Sequence, residues 1–357
     1  MRAVTPRIPP ARRSNSLRSS LGLGEKLFAS SDERHFAQAI EDGLEAVELR
    51  LGDEMSFADN LADVTSRYLF DAGGKRVRPA LTLLTAQLGE GNNGEVVKAA
   101  VALEITHLAS LYHDDVMDSA SMRRGVPSAQ TVWGNSVAIL TGDLLFARAA
   151  KLISSLGEAA TALQAETFER LCLGQLHETI GPQEGDDPVE HYIQVLADKT
   201  GSLIAAAAEV GVLLSNAPQE YRAPVVRFGE HIGVAFQLID DIIDLSAEFE
   251  TTGKVAGTDL RSGVATLPLL YLRKLAIIDV DAAALLARIE KEVAEGADDS
   301  DFQLAVAELR DHEVTAQTLA EAHRWSRSAV EALAPLPEGP AKKALTRFAD
   351  SIVERTN

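Results

Sequence analysis

Cysteine is nearly absent: Cys172 is the only one in 357 residues. A disulfide framework is therefore excluded, and the chain reads as intracellular. Aromatic residues are also scarce, at 5%. Strands draw on aromatic and β-branched side chains, whereas alanine and leucine are abundant here, so the composition favours helices. Long apolar runs are missing. No stretch reaches the roughly 18 residues that span a bilayer, and the closest, Ser202 to Leu214, is interrupted by Glu209. Positive charge is in short supply as well. The formal net charge of −19 argues against nucleic acid or an anionic membrane surface as the main partner. Small anionic substrates stay open, because a few placed cations and bound metal ions reverse the sign locally.

Hydrophobic residues, at 46%, are enough for a substantial core. Residues 1–31 differ from the rest, with six cations (Arg2, Arg7, Arg12, Arg13, Arg18, Lys26) against Glu25 alone. This segment reads as a disordered basic tail, since Pro9-Pro10 and scattered glycines break any amphipathic helix. A mitochondrial transit peptide has a similar composition. From residue 32 onward the apolar positions recur at helical spacing, and no segment alternates as a strand would. The spacing predicts helices near 33–52, 55–72, 77–89, 94–118, 128–155, 158–180, 188–215, 219–247, 265–275, 281–295, 301–309, 313–333 and 340–355. No repeat and no composition shift divides residues 32–357, so one all-α domain is expected there.

Two aspartate clusters carry the main chemical signal: Asp114-Asp115-Val116-Met117-Asp118 and Asp240-Asp241-Ile242-Ile243-Asp244. On a helix, positions i and i+4 share a face, so Asp114 and Asp118 point the same way with Asp115 at their flank. The second cluster repeats this geometry. Three carboxylates that close repel one another unless a cation joins them. Oxygen-only donors select hard divalent ions, and Mg²⁺ combines one or two carboxylates with substrate phosphate oxygens. Two such clusters facing each other would hold several Mg²⁺ around one diphosphate. A solvated acidic helix face is the plainer reading, but the flanks Leu108 to Leu111 and Val234 to Ile239 are too apolar for it.

Cations suited to phosphate accompany the clusters. Arg123-Arg124-Gly125 follows the first by one short loop, and Gly73-Gly74-Lys75-Arg76-Val77-Arg78-Pro79 lies at a loop-to-helix junction. There Pro79 fits an early helical position and backbone N–H groups are free for anions. Arg grips phosphate with two parallel hydrogen bonds, and Lys acts as a point charge. His107 precedes Asp114 by seven residues, about 10 Å along the same helix face. Lys199-Thr200-Gly201 and Lys254 are further candidate anion contacts. Singly, each of these basic groups would pass for a solvated turn or surface side chain.

Taken in order, these motifs resemble the trans-isoprenyl diphosphate synthase (polyprenyl synthetase) family over about residues 35–355. Gly142-Asp143, Phe236-Gln237, Gly253-Lys254, Gly257-Thr258-Asp259-Leu260 and Thr266-Leu267-Pro268 add to the match. The resemblance implies an orthogonal helical bundle around a deep central cavity, a cytoplasmic homodimer, and three Mg²⁺ ions per site. It implies that Lys75, Arg78, His107 and Arg124 contact isopentenyl diphosphate. It assigns Arg123, Lys199, Thr200, Gln237 and Lys254 to the allylic diphosphate. Asp114, Asp118 and Asp240 match direct metal ligands, with Asp115, Asp241 and Asp244 in support. Asp114, Asp118, Arg123, Lys199, Asp240 and Lys254 would carry catalysis. Two departures stand out: Val264 follows Gly263 where short-chain members often have Lys, and Gln175 stands where many members have Glu.

The residues just before the first cluster form, in this family, the floor of the product tunnel. Ala109 and Ser110 are small, and side chains tilt toward the helix N-terminus, so an open floor implies an all-trans product of about C30 to C50, as for a quinone side chain. Tyr112 is large but lies on another face. A geranylgeranyl diphosphate synthase is the nearest alternative. A non-catalytic partner subunit of a heteromeric synthase is another, although such a subunit should have lost aspartates or phosphate contacts that this chain keeps.

Overall fold

All thirteen expected helical segments recur in the computed structural model, which describes residues 30–246, 256–295 and 299–356. In chain order the helices are α1 (Ser31–Glu54), α2 (Asn60–Asp71), α3 (Val77–Ala86), α4 (Gly94–Met117), α5 (Ala129–Trp133), α6 (Asn135–Ser154) and α7 (Glu158–Ile180). They continue with α8 (Pro188–Leu196), α9 (Ser202–Leu214), α10 (Arg222–Ser246), α11 (Thr258–Arg261) and α12 (Leu267–Leu275), then α13 (Val280–Glu295), α14 (Asp299–Asp311), α15 (Glu313–Ala332) and α16 (Pro340–Val353). The fold class is all-α, as the composition predicts. The basic tail expected over residues 1–31 falls almost entirely outside the described residues, as does Lys254. The chain enters α1 through a capping box: Glu33 N–H donates to Ser30 Oγ and Ser30 N–H donates back to Glu33 Oε2.

Local geometry interrupts two expected helices. The segment 128–155 breaks at Gly134, whose φ of 85° and ψ of 161° favour glycine. The segment 188–215 is interrupted by one π-helical turn, Ala197–Gly201. Periodicity also missed a small antiparallel hairpin, β1 (Met122–Arg123) with β2 (Val126–Pro127). Its strands are too short to show alternation. Its two turn residues, Arg124 and Gly125, have φ of 54° and 77°, the positive values of a tight I′-type connection.

The described residues fall into two compact units. The first holds those up to Thr167, together with Ala206–Val226 and Pro335–Arg347. Helix α4 is buried nearly all round, through Ala99, Leu103, Ile105, Leu108 and Tyr112, as a helix apolar on every side must be. It packs against α1, α3 and α6. Gly142 makes the α6 contact possible, because a Cβ there would stand 2.3 Å from His113 Nε2. The second unit holds Phe168–Ala205, Arg227–Ala334 and the residues from Phe348 onward. One core within it gathers Leu245, Leu260, Leu272, Ile289, Phe302 and Leu309. Another gathers Val234, Leu238, Ile242, Leu267, Ala322 and Val353 around the inner face of α10. No helix among the described residues is long and apolar enough to cross a membrane.

Candidate active site

In the first unit, the last turns of α4 and the neighbouring loops bring together most of the predicted groups. Asp115 turns inward and is fully buried. Its Oδ1 accepts a 2.6 Å hydrogen bond from Arg123 Nε, and its Oδ2 is buried without a partner. Burial raises its pKa, and Arg123 opposes that rise. Asp114 is half-buried and Asp118, the C-cap of α4, is exposed. The hairpin presents Arg123 and Arg124 side by side. Arg124 donates to the carbonyls of Leu69 (2.8 Å) and Gly73, which fixes its guanidinium beside the loop before α3. Gln130 holds the hairpin's base by donating to the carbonyls of Asp115 and Ala120.

Arg78, on the first turn of α3, has a buried Nε with no partner. Burial pulls its pKa down to about 10, against the attraction of Glu104, and Arg124 repels it further. His107 sits among four guanidiniums. Burial first, then Arg78, Arg124, Arg123 and Arg76, push its pKa well below the ordinary value, so the ring is neutral. Lys75, three residues before Arg78, is exposed. Arg76 serves the architecture instead. Its guanidinium makes a two-pronged pair with Glu48 (2.8 and 3.1 Å) and reaches Glu104 at 3.4 Å.

Glu104 was not foreseen. It is 2% exposed, and its Oε2 has no partner. It is an acid set among arginines, one helical turn before His107. A lone acid in the apolar run Val101 to Ala109 was the available signal.

Ala109 and Ser110 are both buried, and Ser110 Oγ donates to the His107 carbonyl. Tyr112 does lie on another face, buried against α2, where its hydroxyl donates to Thr65 O and accepts from Leu69 N–H.

The second unit holds the other cluster, on α10. Asp241 is 2% exposed and accepts a 2.6 Å hydrogen bond from the Tyr192 hydroxyl. Burial raises its pKa to about 8; Tyr192 opposes the rise and Asp259 adds to it. Asp240 is paired with Arg355 at 2.8 Å, whose guanidinium also lies 4.7 Å from the Phe236 ring centre. Asp244 Oδ2 accepts from Asp259 N–H at 3.1 Å. Lys199, on the π-helical turn, is paired with Glu178, and Thr200 Oγ1 meets Gln237 Oε1 at 3.4 Å. Gly174 on α7 lets that turn approach, since a Cβ there would lie 2.6 Å from Lys199 N. Tyr192, Glu178 and Arg355 carried no sequence signal that separates them from ordinary helix residues.

Among the described residues no three His, Cys, Asp or Glu side chains converge into a ready-made metal cage. Mg²⁺ does not need one, since it takes few carboxylates and completes its octahedron with water and phosphate oxygens. The donor chemistry fits such an ion. All six aspartates offer hard oxygen, Asp115 Oδ2 is an orphaned acceptor, and Asp241 is a buried acid whose anion a dication would stabilise.

Residues 59–302 match the family model described as Polyprenyl synthetase. A nonaprenyl diphosphate synthase of Mycobacterium tuberculosis is 41% identical over 321 residues, 90% of this chain and 94% of that protein. A polyprenyl synthase from Caulobacter crescentus, solved with calcium and isoprenyl diphosphate, matches with a TM-score of 0.81 at 30% identity over 92% of this chain and 99% of that one. A geranylgeranyl pyrophosphate synthase from Corynebacterium glutamicum, solved with the same two ligands, matches with a TM-score of 0.77 at 40% identity, again over 92% and 99%.

Proposed function

The chain belongs to the polyprenyl synthetase family and is a prenyltransferase, and from that premise we propose that it extends an allylic diphosphate with isopentenyl diphosphate to an all-trans product of medium or long chain. The observation that carries this reading is the group of Arg78, Arg123, Arg124 and His107 along α4, with Arg78 Nε buried and unpartnered and Arg123 bonded to Asp115 of the first cluster. A buried guanidinium with a spare donor favours a ligand of high negative charge.

Lys75, Arg78, His107 and Arg124 bind and orient the diphosphate of isopentenyl diphosphate. Neutral His107 can accept or donate one hydrogen bond there without adding to the positive charge. Arg123, Lys199, Thr200, Gln237 and Lys254 take the allylic diphosphate. Asp114, Asp118 and Asp240 would hold Mg²⁺, and Asp115, Asp241 and Asp244 would support them. When bound, the metal neutralises negative charge that builds on the leaving diphosphate. The allylic C–O bond breaks with its electron pair leaving on oxygen. The isopentenyl double bond supplies the pair for the new C–C bond, and the adjacent carbon gives up a proton to the released diphosphate, which restores a double bond. The arginines and Lys199 stabilise the diphosphate charge as it develops.

Small side chains at Ala109 and Ser110 leave room for a growing chain, and likeness to a nonaprenyl synthase supports the longer product. A C20 product is the second reading, favoured by the corynebacterial likeness. We further take the active form to be a homodimer. Ile139 and Leu140 on α6, 41% and 65% exposed, are apolar surface that a partner would cover. Purified enzyme given Mg²⁺, farnesyl diphosphate and labelled isopentenyl diphosphate tests the proposal by product chromatography. Products beyond C20 are expected. A product ending at C20 or below would refute the long-chain assignment, and no extension at all would refute synthase activity.

A further inference from the structure

A second cationic site lies in the first unit, apart from the aspartates and the arginine group. The ends of α1 and α6 and the second turn of α4 line a cleft of about 370 Å³. Arg50, Lys98, Arg148 and Lys151 reach it, with Glu54 the one acid, Ser155 a hydroxyl and Leu152 an apolar wall. In a chain of net charge −19, four cations around one carboxylate call for an explanation.

Local structure accounts for part of it. Arg148 Nη1 donates to Glu54 O (2.9 Å) and Oε2 (3.2 Å), and its guanidinium lies 4.3 Å from the Phe57 ring centre. Arg50 pairs with Glu54 at 3.5 Å. The C-terminal ends of α1 and α6 each add about half a negative charge, which a nearby cation relieves. Glu54 and the two helix ends together offset about two of the four positive charges. About two remain without a structural reason. Lys98 stands near the positive end of α4, where the helix dipole does not favour a cation. Among the described residues its amine reaches a hydroxyl, Ser155 Oγ, at 3.1 Å. Arg50 Nε is shielded from water and has no hydrogen-bond partner.

We propose that this cleft is a second binding site for a diphosphate group, held by Arg50, Lys98 and Lys151 and framed by Ser155. Two sources share that chemistry, inorganic diphosphate and the headgroup of an isoprenoid diphosphate. The first is a co-product only if the prenyl-transfer reading above holds, whereas binding itself does not depend on it.

Isothermal titration of the full chain in EDTA, with inorganic diphosphate, isopentenyl diphosphate and inorganic phosphate in separate runs, tests the site. The Lys98→Gln/Lys151→Gln double variant should lose one class of binding, its affinity falling about tenfold or more, while the KM for isopentenyl diphosphate stays unchanged. Binding lost for inorganic diphosphate alone identifies the free ion as ligand, and loss confined to isopentenyl diphosphate identifies the headgroup. Superimposable isotherms for wild type and variant would overturn the proposal, as would inorganic phosphate binding as tightly as diphosphate. Should the double variant fail to fold, Lys151→Glu at an exposed position applies the same criteria.

Discussion

The two aspartate clusters read alike in sequence and stand in opposite electrostatic surroundings. The first ends a helix, and its buried member, Asp115, is paired with the guanidinium of Arg123 and attracted by Arg124. The second lies within α10, and its buried member, Asp241, meets a phenol and the field of another acid, Asp259. Asp115 is therefore already partly balanced by a neighbouring guanidinium, while in the second cluster Arg355 pairs with Asp240 rather than with the buried Asp241. The contrast between the buried members means that Asp241 would rely more than Asp115 on a bound cation for its charge balance.

Removing a proposed ligand from either cluster gives the largest effect. Asp114→Asn and Asp240→Asn should each lower kcat about a thousandfold in saturating Mg²⁺, a loss typical of electrostatic groups acting on developing charge. Steady-state assays with labelled isopentenyl diphosphate measure it. Near-normal turnover in one variant would show that its cluster holds no catalytic metal.

A smaller contrast should appear in folding without metal. Asp115→Asn leaves Arg123 without its carboxylate, and a loss of about 1–3 kcal/mol is expected because Arg123 is only partly exposed. Asp241→Asn exchanges an acid that burial already holds near neutrality for its neutral isostere, so little change is expected. Denaturant melts in EDTA at neutral pH compare the two. Equal losses would remove the asymmetry between the clusters.

Much of this is legible in the sequence. The helices follow from apolar spacing, and the aspartates, Arg78, His107, Arg123 and Arg124 from motifs whose chemistry is local. What escaped was set by distant partners or by single backbone angles. Tyr192 bonds Asp241 across 49 positions, and nothing in its own segment marks it. Gly134 and the π-helical turn at Ala197–Gly201 interrupt helices whose periodicity continues through them. The hairpin that presents Arg123 and Arg124 has two residues per strand, below the length at which alternation can register.

That π-helical turn supplies the next test of the second unit. Gly174→Ala places a methyl group 2.6 Å from Lys199 N, closer than packed atoms tolerate. The turn must shift, and Lys199 and Thr200 with it. We expect kcat to fall about tenfold, because small misplacements of substrate-holding groups are costly, with the KM for isopentenyl diphosphate unaltered. If instead that KM rises while kcat holds, Lys199 belongs to the other substrate.

The smallest effect belongs to His107 and reports on the charge of the arginines around it. Burial and the surrounding arginines hold its folded pKa below the unfolded value of about 6.5. Between those two pKa values the unfolded chain binds the extra proton, so stability is fully present above pH 6.5 and is lost as pH falls toward the folded pKa. At pH 6 the loss is about 1 kcal/mol or less. His107→Asn removes the titrating ring, so subtracting its stability curve from that of wild type between pH 5.5 and 7.5 should leave a slope of this sign and size. A bound diphosphate would attract a proton to the ring and shrink the slope, which ties the measurement to the ligand as well as to the fold. Parallel curves for the two proteins would mean that His107 is not held neutral, and the picture of a strongly cationic arginine group around it would fail with it.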